Sequence, residues 1–310
     1  MTINLLDKET LQEAIVGQAF YRASISPYES IYHYTGQSGL KGIMESHQLW
    51  ATEYRRLNDK NEFNLIEVII PEVLRRLKLN SAFSQIFSDS LIREIQRLNH
   101  ARSVADSFFV SCFSLNPDNL LLWSEFANSG CNLHFNGYGR LEEQVCEDDF
   151  FVYPGLVIYE KEEQYEIIES CFSSVVESDM TVREILCALQ EENNWHLIHE
   201  YIQEVALLIR YYSMYMKGEI YKNEEEYRII FQIKDRQNIK VKYRSKAGYP
   251  KKIPYIAVDF IDQYIPFDGI TLSPKYHDES DEDMYENILK IGGYDCSFIK
   301  RAKSAASLRY

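Results

Sequence analysis

Three sets of polar residues sit on otherwise apolar, strand-like runs, and each could do chemistry. The latest in the chain is Glu224-Glu225-Glu226-Tyr227-Arg228, leading into Ile229-Ile230-Phe231-Gln232-Ile233. If a strand already runs at 224, period-two alternation puts Glu224, Glu226 and Arg228 on one face. Adjacent carboxylates repel and raise one pKa unless a cation lies between them, and Arg228 can be that cation. Such a pair can orient sugar hydroxyls, stabilise an oxocarbenium-like centre or accept a proton from an attacking group. A solvated acidic turn ahead of a strand has the same pattern. The earliest set is His33-Tyr34-Thr35. His33 and Thr35 share a face, and a neutral imidazole beside a hydroxyl can hydrogen-bond a ribose or a carboxamide. A half-buried strand histidine with satisfied bonds also fits. Midway, Ser111 and Ser114 face opposite sides of their strand. Ser114, just before Asn116-Pro117-Asp118, is the one placed to line a pocket or to cap the turn.

The elements that must position these residues follow from periodicity. Ile31 to Thr35 alternates as a strand ended by Gly36, and Ser38 can cap a short helix burying Leu40, Ile43 and Met44. Leu49 to Thr52 reads as extended. From Asn58 to about Ala105 the pattern is helical, with Pro71 expected to start or kink a helix and Asp89 to cap a second. Phe108 to Ser114 is a strand, Asp118 can cap a helix through Trp123, and Gly130 leads into a strand from Cys131 to Phe135. A further strand lies within Phe151 to Tyr159. Residues 163–217 are helical, best from Asn194 to Lys217 with Gly218 as the stop. The last third is β at 227–233, 239–243, 253–260, 270–272 and 296–299, with a helix near 282–291. Blocks of strands and helices without steady alternation point to an α+β fold with a mainly antiparallel β core. No break in composition divides the chain. One domain over 1–310 is expected, carrying helical insertions at about 62–105 and 163–217.

Composition narrows the function classes. The 310 residues are 45% hydrophobic and 26% charged, which excludes disordered and fibrous classes. A net charge of −14 opposes non-specific nucleic-acid binding, with a basic stretch from Lys234 to Lys252 as a local exception. No apolar run is long enough for a membrane span, and Asp7, Lys8 and Glu9 spoil a signal peptide. The six cysteines are scattered and read as reduced thiols of a cytoplasmic protein, neither a disulfide frame nor a zinc site. No P-loop or nucleophile elbow occurs, and Gly137-Tyr138-Gly139 lacks the third glycine of a dinucleotide fingerprint. His196 and His199 fit the polar face of an amphipathic helix better than a metal site. No resident metal is expected. A different reading places Mg²⁺ on Asp59, Glu62, Glu224 and Glu226 in an RNA-directed enzyme.

In order along the chain, the pieces resemble a bacterial family known as domain of unknown function 2971. The resemblance covers about residues 30–275. Its marks are Tyr32-His33-Tyr34-Thr35; Asn58-Asp59-Lys60-Asn61-Glu62, with lysine where proline is usual; and Val110 to Ser114. Further marks are Leu121-Leu122-Trp123-Ser124-Glu125-Phe126-Ala127, Gly130 to Phe135, and Lys217 with Tyr221 through Arg228, tyrosine replacing tryptophan. Ile270-Thr271-Leu272-Ser273-Pro274 closes the set, with Ser273 for glycine. More distantly the layout resembles the ADP-ribosyltransferase fold. That resemblance implies NAD as substrate, and ADP-ribosyl transfer or NAD hydrolysis in a toxin or phage-defence setting. A protein or nucleic acid would be the acceptor. It implies that His33 holds a ribose, that Tyr34 or another tyrosine stacks on nicotinamide, and that Ser114 supports the pocket. Glu226 would stabilise the cation formed as nicotinamide leaves, and Glu224 would activate the acceptor. Thr35, Asn58, Trp123 and Arg228 would line the NAD site. A non-catalytic nucleotide or ADP-ribose sensor built on the same pocket, its helical insertion a partner surface, is the second reading.

Overall fold

The computed structural model describes residues 4–6, 30–57, 62–100, 108–136, 141, 144–145, 149–192, 194–234, 240–245, 251–275 and 279–306. The fold mixes α and β, with a largely antiparallel sheet. The chain divides into two compact units: residues 1–22, 57–107 and 157–221 form one, and residues 23–56, 108–156 and 222–310 form the other.

The second unit carries the sheet. Its strands are β1 (Ser30–Thr35), β2 (Leu49–Glu53), β3 (Phe108–Ser114), β4 (Cys131–Asn136), β5 (Phe150–Leu156), β6 (Glu226–Ile233), β7 (Lys242–Arg244), β8 (Ile253–Val258), β9 (Gly269–Leu272) and β10 (Lys300–Lys303). The main path runs β10-β9-β4-β1-β3-β2-β8-β7, and β6 pairs with both β3 and β5. Only β9 with β10 is a parallel pair among these. β3 therefore has three neighbours. It pairs with β6 along its whole length, from Phe108↔Gln232 to Ser114↔Glu226. Its other edge is shared: β2 takes Phe109 and Val110, and β1 takes only Ser114. Between those points the sheet splits, and among the described residues Ser111 to Phe113 have no strand partner on that side.

Helix α1 (Gln37–Ser46) buries Leu40, Ile43 and Met44 as expected. Its N-cap is Gly36, without a side-chain bond, and Ser38 lies inside the first turn. The two helical blocks between strands are in the first compact unit: α2 (Glu62–Arg76) and α3 (Ser81–Asn99), then α5 (Lys161–Ser173), α6 (Val182–Glu192) and α7 (Trp195–Ser213); the short α4 (Leu120–Leu122) belongs to the sheet unit. α3 packs on α7 and α2 on both α3 and α5, so the two helical blocks that interrupt the strands share one core. Phe87, Phe172 and Tyr201 meet there, and the Tyr201 hydroxyl donates to the Phe172 carbonyl at 2.6 Å. Pro71 sits in the interior of α2, where a start or kink was expected. Asn80, and not Asp89, caps α3 by accepting from Ala82 and Phe83. Asn194 caps α7 as its position suggests, but the helix stops at Ser213, five residues before Gly218. Helix α8 (Glu279–Ile291) and β10 close the chain; the last strand lies at 300–303, not at 296–299. No helix among the described residues is long and apolar enough to cross a membrane.

Candidate functional site

His33, Tyr34, Thr35, Ser114, Trp123, Glu224, Glu226 and Arg228 all lie on the described part of the sheet unit. Asn58 and Asp59 lie outside the described residues, as does the Glu62 side chain. The Ser114 hydroxyl is committed to the backbone: it donates to the Glu224 carbonyl at 2.7 Å and accepts from the Asn116 amide at 3.0 Å. At 2% exposure it ties the end of β3 to the entry of β6. Asn119, not Asp118, caps α4 by accepting from Leu121 and Leu122, and its amide nitrogen donates to the Asn223 carbonyl. Asp118 instead accepts from Trp123 Nε1 at 2.7 Å, from the Ser304 hydroxyl, and from the Ala305 and Ala306 amides. Burial works to raise the Asp118 pKa, but these donors hold it below the ordinary carboxylate value.

Tyr34 and Trp123 belong to the same construction. Their rings meet edge-on at 4.7 Å, in a cluster with Leu122 and Ala127. The Tyr34 hydroxyl donates to the Asn116 carbonyl at 2.7 Å and accepts from the Asn119 amide at 2.9 Å. Burial, only partly offset by that amide, pushes its pKa up to about 12. Trp123 has 0% exposure. A π-helical turn over Trp123–Ala127, continuing α4, points the indole inward. In this structure the two rings fill a core cluster beside the end of β1, an interior strand, and a wholly buried indole does not line an NAD site.

Ladder register decides which side chains can meet. Tyr32 opposes Ser114, and Ser114 opposes Glu226. Directly paired residues project on the same face, and next neighbours on opposite faces. Tyr32, Tyr34, Cys112, Ser114, Glu226 and Arg228 thus share one face, and His33, Thr35 and Phe113 share the other. The His33 and Phe113 rings, 5.5 Å apart, agree with that parity. Thr35 is covered by α1, whose Gly39 has no room for a β-carbon beside the Thr35 hydroxyl. The expected meeting of His33 with Ser114 and Glu226 is therefore divided between two faces.

The split along β3 is filled by side chains where backbone pairing stops. His33 Nδ1 lies 3.0 Å from the Cys112 carbonyl, and the Ser111 hydroxyl reaches the Trp50 carbonyl at 3.4 Å. A carbonyl can only accept, so Nδ1 carries the proton. The neutral ring then presents Nε2 as a lone pair. Burial lowers the His33 pKa and the Arg244 guanidinium lowers it further, against the opposing Cys112 bond. His33 is half-buried. It is a neutral acceptor with a fixed tautomer, set in a gap of the sheet.

Glu226 and Arg228 form a fork: Nε to Oε1 and Nη2 to Oε2, each 2.9 Å, with the guanidinium 1% exposed. The expected cation beside the carboxylate is in place. Glu224 is different from its expectation. Residues Glu219–Glu224 form a 3-10 turn, Glu225 takes a left-handed conformation at φ 45°, and β6 starts at Glu226. Strand alternation thus does not relate Glu224 to Glu226; the Glu224 backbone serves as the acceptor for Ser114. Among the described residues no group of three His, Cys, Asp or Glu could hold a metal ion. His196 and His199 lie on α7, and His196 Nδ1 is 3.8 Å from Glu200.

Sequence reasoning passed over Tyr32, Trp50, Cys112 and Arg244. Tyr32 opposes Ser114 in the row that ends at Glu226. Arg244 is visible only as one of several cations in the basic stretch, and nothing local marks it as a strand residue facing Trp50. A scan against protein-family models, a search of curated proteins and a search of solved structures each found no match to this chain.

Proposed function

We propose that this chain is a nucleotide-binding module of the NAD or ADP-ribose class, reading its ligand without turning it over. The resemblance to the 2971 family and to the ADP-ribosyltransferase layout supplies the ligand class. The observation that carries the binding role is His33: a neutral imidazole with Nδ1 pinned to the Cys112 carbonyl offers Nε2 to a ribose hydroxyl or a carboxamide N–H. Catalysis has weaker support. Both oxygens of Glu226 are engaged by Arg228, the Ser114 and Tyr34 hydroxyls are spent on backbone groups, and His33 projects from the face opposite Glu226.

A second reading, ADP-ribosyl transfer or NAD hydrolysis, is favoured by one feature: half-buried Tyr32 and Cys112 share a sheet face with a carboxylate already held in one orientation by Arg228, as stabilising an oxocarbenium centre requires. Calorimetry with NAD and ADP-ribose, run beside an assay for released nicotinamide, separates the two. Saturable binding without nicotinamide release, weakened by His33→Ala, is the expected result. Nicotinamide release abolished by Glu226→Gln would establish the enzyme instead, and absence of binding to either ligand would end both readings.

A further inference from the structure

Arg244, which adds to the lowering of the His33 pKa by burial, is itself incompletely satisfied. Arg244 ends β7, and its Nη2 donates to Thr52 Oγ1 at 2.9 Å. Among the described residues its buried Nε has no hydrogen-bond partner and no carboxylate pairs with it, in a chain with 47 acidic side chains. Burial lowers its pKa, opposed only by Tyr255. A guanidinium withdrawn from water without an anion is costly, and an arginine fork is shaped for two oxygens of one oxyanion.

Register shows what surrounds it. Thr52 opposes Tyr255, which opposes Lys242, so these three share a face across β2, β8 and β7. Alternation adds Trp50 and Arg244 to that face. Arg244 lies over the Trp50 ring at 5.8 Å, and the Trp50 and Tyr255 rings are 4.5 Å apart at 33°. Trp50 keeps 40% of its surface exposed. One face of the β2-β8-β7 edge thus holds a guanidinium with no carboxylate partner among the described residues, a second cation in Lys242, a hydroxyl, and a partly exposed indole.

We propose that this face is a binding site for a mononucleotide, its phosphoryl oxygens on Arg244 and Lys242 and its base stacked on Trp50. The site uses none of the Glu226 chemistry, and it goes beyond the reading of His33 because it would take any nucleoside monophosphate whose base can stack. Base-on-aromatic stacking and the charge-assisted fork are additive in kind, one sequence-tolerant and one specific for the anion.

The test is a titration of the full chain with AMP, pyrophosphate and adenosine, read by calorimetry and by indole fluorescence. AMP should bind and quench Trp50. Arg244→Gln should weaken AMP and pyrophosphate by about tenfold or more, as expected for loss of a charge-assisted hydrogen bond. Trp50→Leu should weaken AMP and adenosine but leave pyrophosphate unchanged. A third readout needs no variant: the His33 ring, followed by NMR, should titrate at higher pH when AMP neutralises Arg244. Failure of AMP to bind the wild-type chain overturns the proposal. So does AMP binding that leaves the His33 titration unmoved, or equal binding by a folded Arg244→Gln protein. Because NAD turnover is not measured, loss of the Glu226 reading and loss of this one remain distinguishable.

Discussion

Removing the single oxygen of Tyr34 is the sharpest test of whether that ring is scaffold or ligand contact. The hydroxyl makes two bonds of good length, to the Asn116 carbonyl at 2.7 Å and from the Asn119 amide at 2.9 Å. Tyr34→Phe keeps the ring against Trp123 and so leaves the aromatic packing in place. A net hydrogen bond contributes about 1 kcal/mol, and a buried donor left without a partner costs about 1–3 kcal/mol. Asn119 is buried, so its amide has no water to turn to. The sum is a loss of about 2–4 kcal/mol from the sheet unit. With a urea slope of about 2 kcal/mol/M, the midpoint should fall by about 1–2 M. Trp123 touches the altered ring, so indole fluorescence in a urea titration reports unfolding locally. A ring whose task was to stack on nicotinamide would lose nothing as phenylalanine. A midpoint shift below about 0.2 M would therefore refute the scaffold role of Tyr34.

Gly130→Ala should prevent the sheet unit from folding, since a β-carbon there would overlap the Thr35 carbonyl and stand 2.6 Å from Gly36 Cα and 2.9 Å from the Ala127 carbonyl; all three are backbone atoms that cannot swing away. Loss of soluble, cooperatively unfolding protein is the outcome to look for, and wild-type stability would count against the tight crossing at the start of β4. Stability should also fall in acid through His33. Its folded pKa lies below the ordinary 6.5, so the unfolded chain binds the extra proton; the stabilisation is complete above about 6.5 and is lost as pH drops toward the folded value. His33→Asn keeps a donor for the Cys112 carbonyl without a titrating ring and should flatten denaturation midpoints measured between pH 7 and pH 5. His134, lowered chiefly by burial, leaves a residual slope.

The strands were legible because their apolar runs and turn residues agree: β1, β3, β4 and β6 lie within a residue or two of where alternation puts them. Caps were legible in type but shifted in place. Asn119 and Asn80 cap where Asp118 and Asp89 were expected, because aspartate and asparagine offer the same acceptor and only the local backbone chooses between neighbours. Asp118 was thereby freed to gather Trp123 and the 304–306 segment, a contact 187 residues away in the chain that no local pattern encodes. The site was less legible for a similar reason. Parity within one strand is read easily, but which strands lie side by side decides whether His33 and Glu226 share a face. Glu225 hid a further break, since a left-handed non-glycine residue leaves no mark on the hydrophobic pattern.

The three-neighbour strand has a consequence for how the protein is made. β3 waits on β6, more than a hundred residues downstream, and every segment of the helical unit leaves the ribosome in that interval or before it. With translation running at roughly 5–20 residues per second, the nascent chain would hold an unsatisfied hydrophobic strand for several seconds while the helices encoded on either side of it in the sequence can already associate. The order of synthesis thus favours completion of the helical unit first. It also leaves Phe108 to Ser114 as the stretch most in need of protection from other nascent chains.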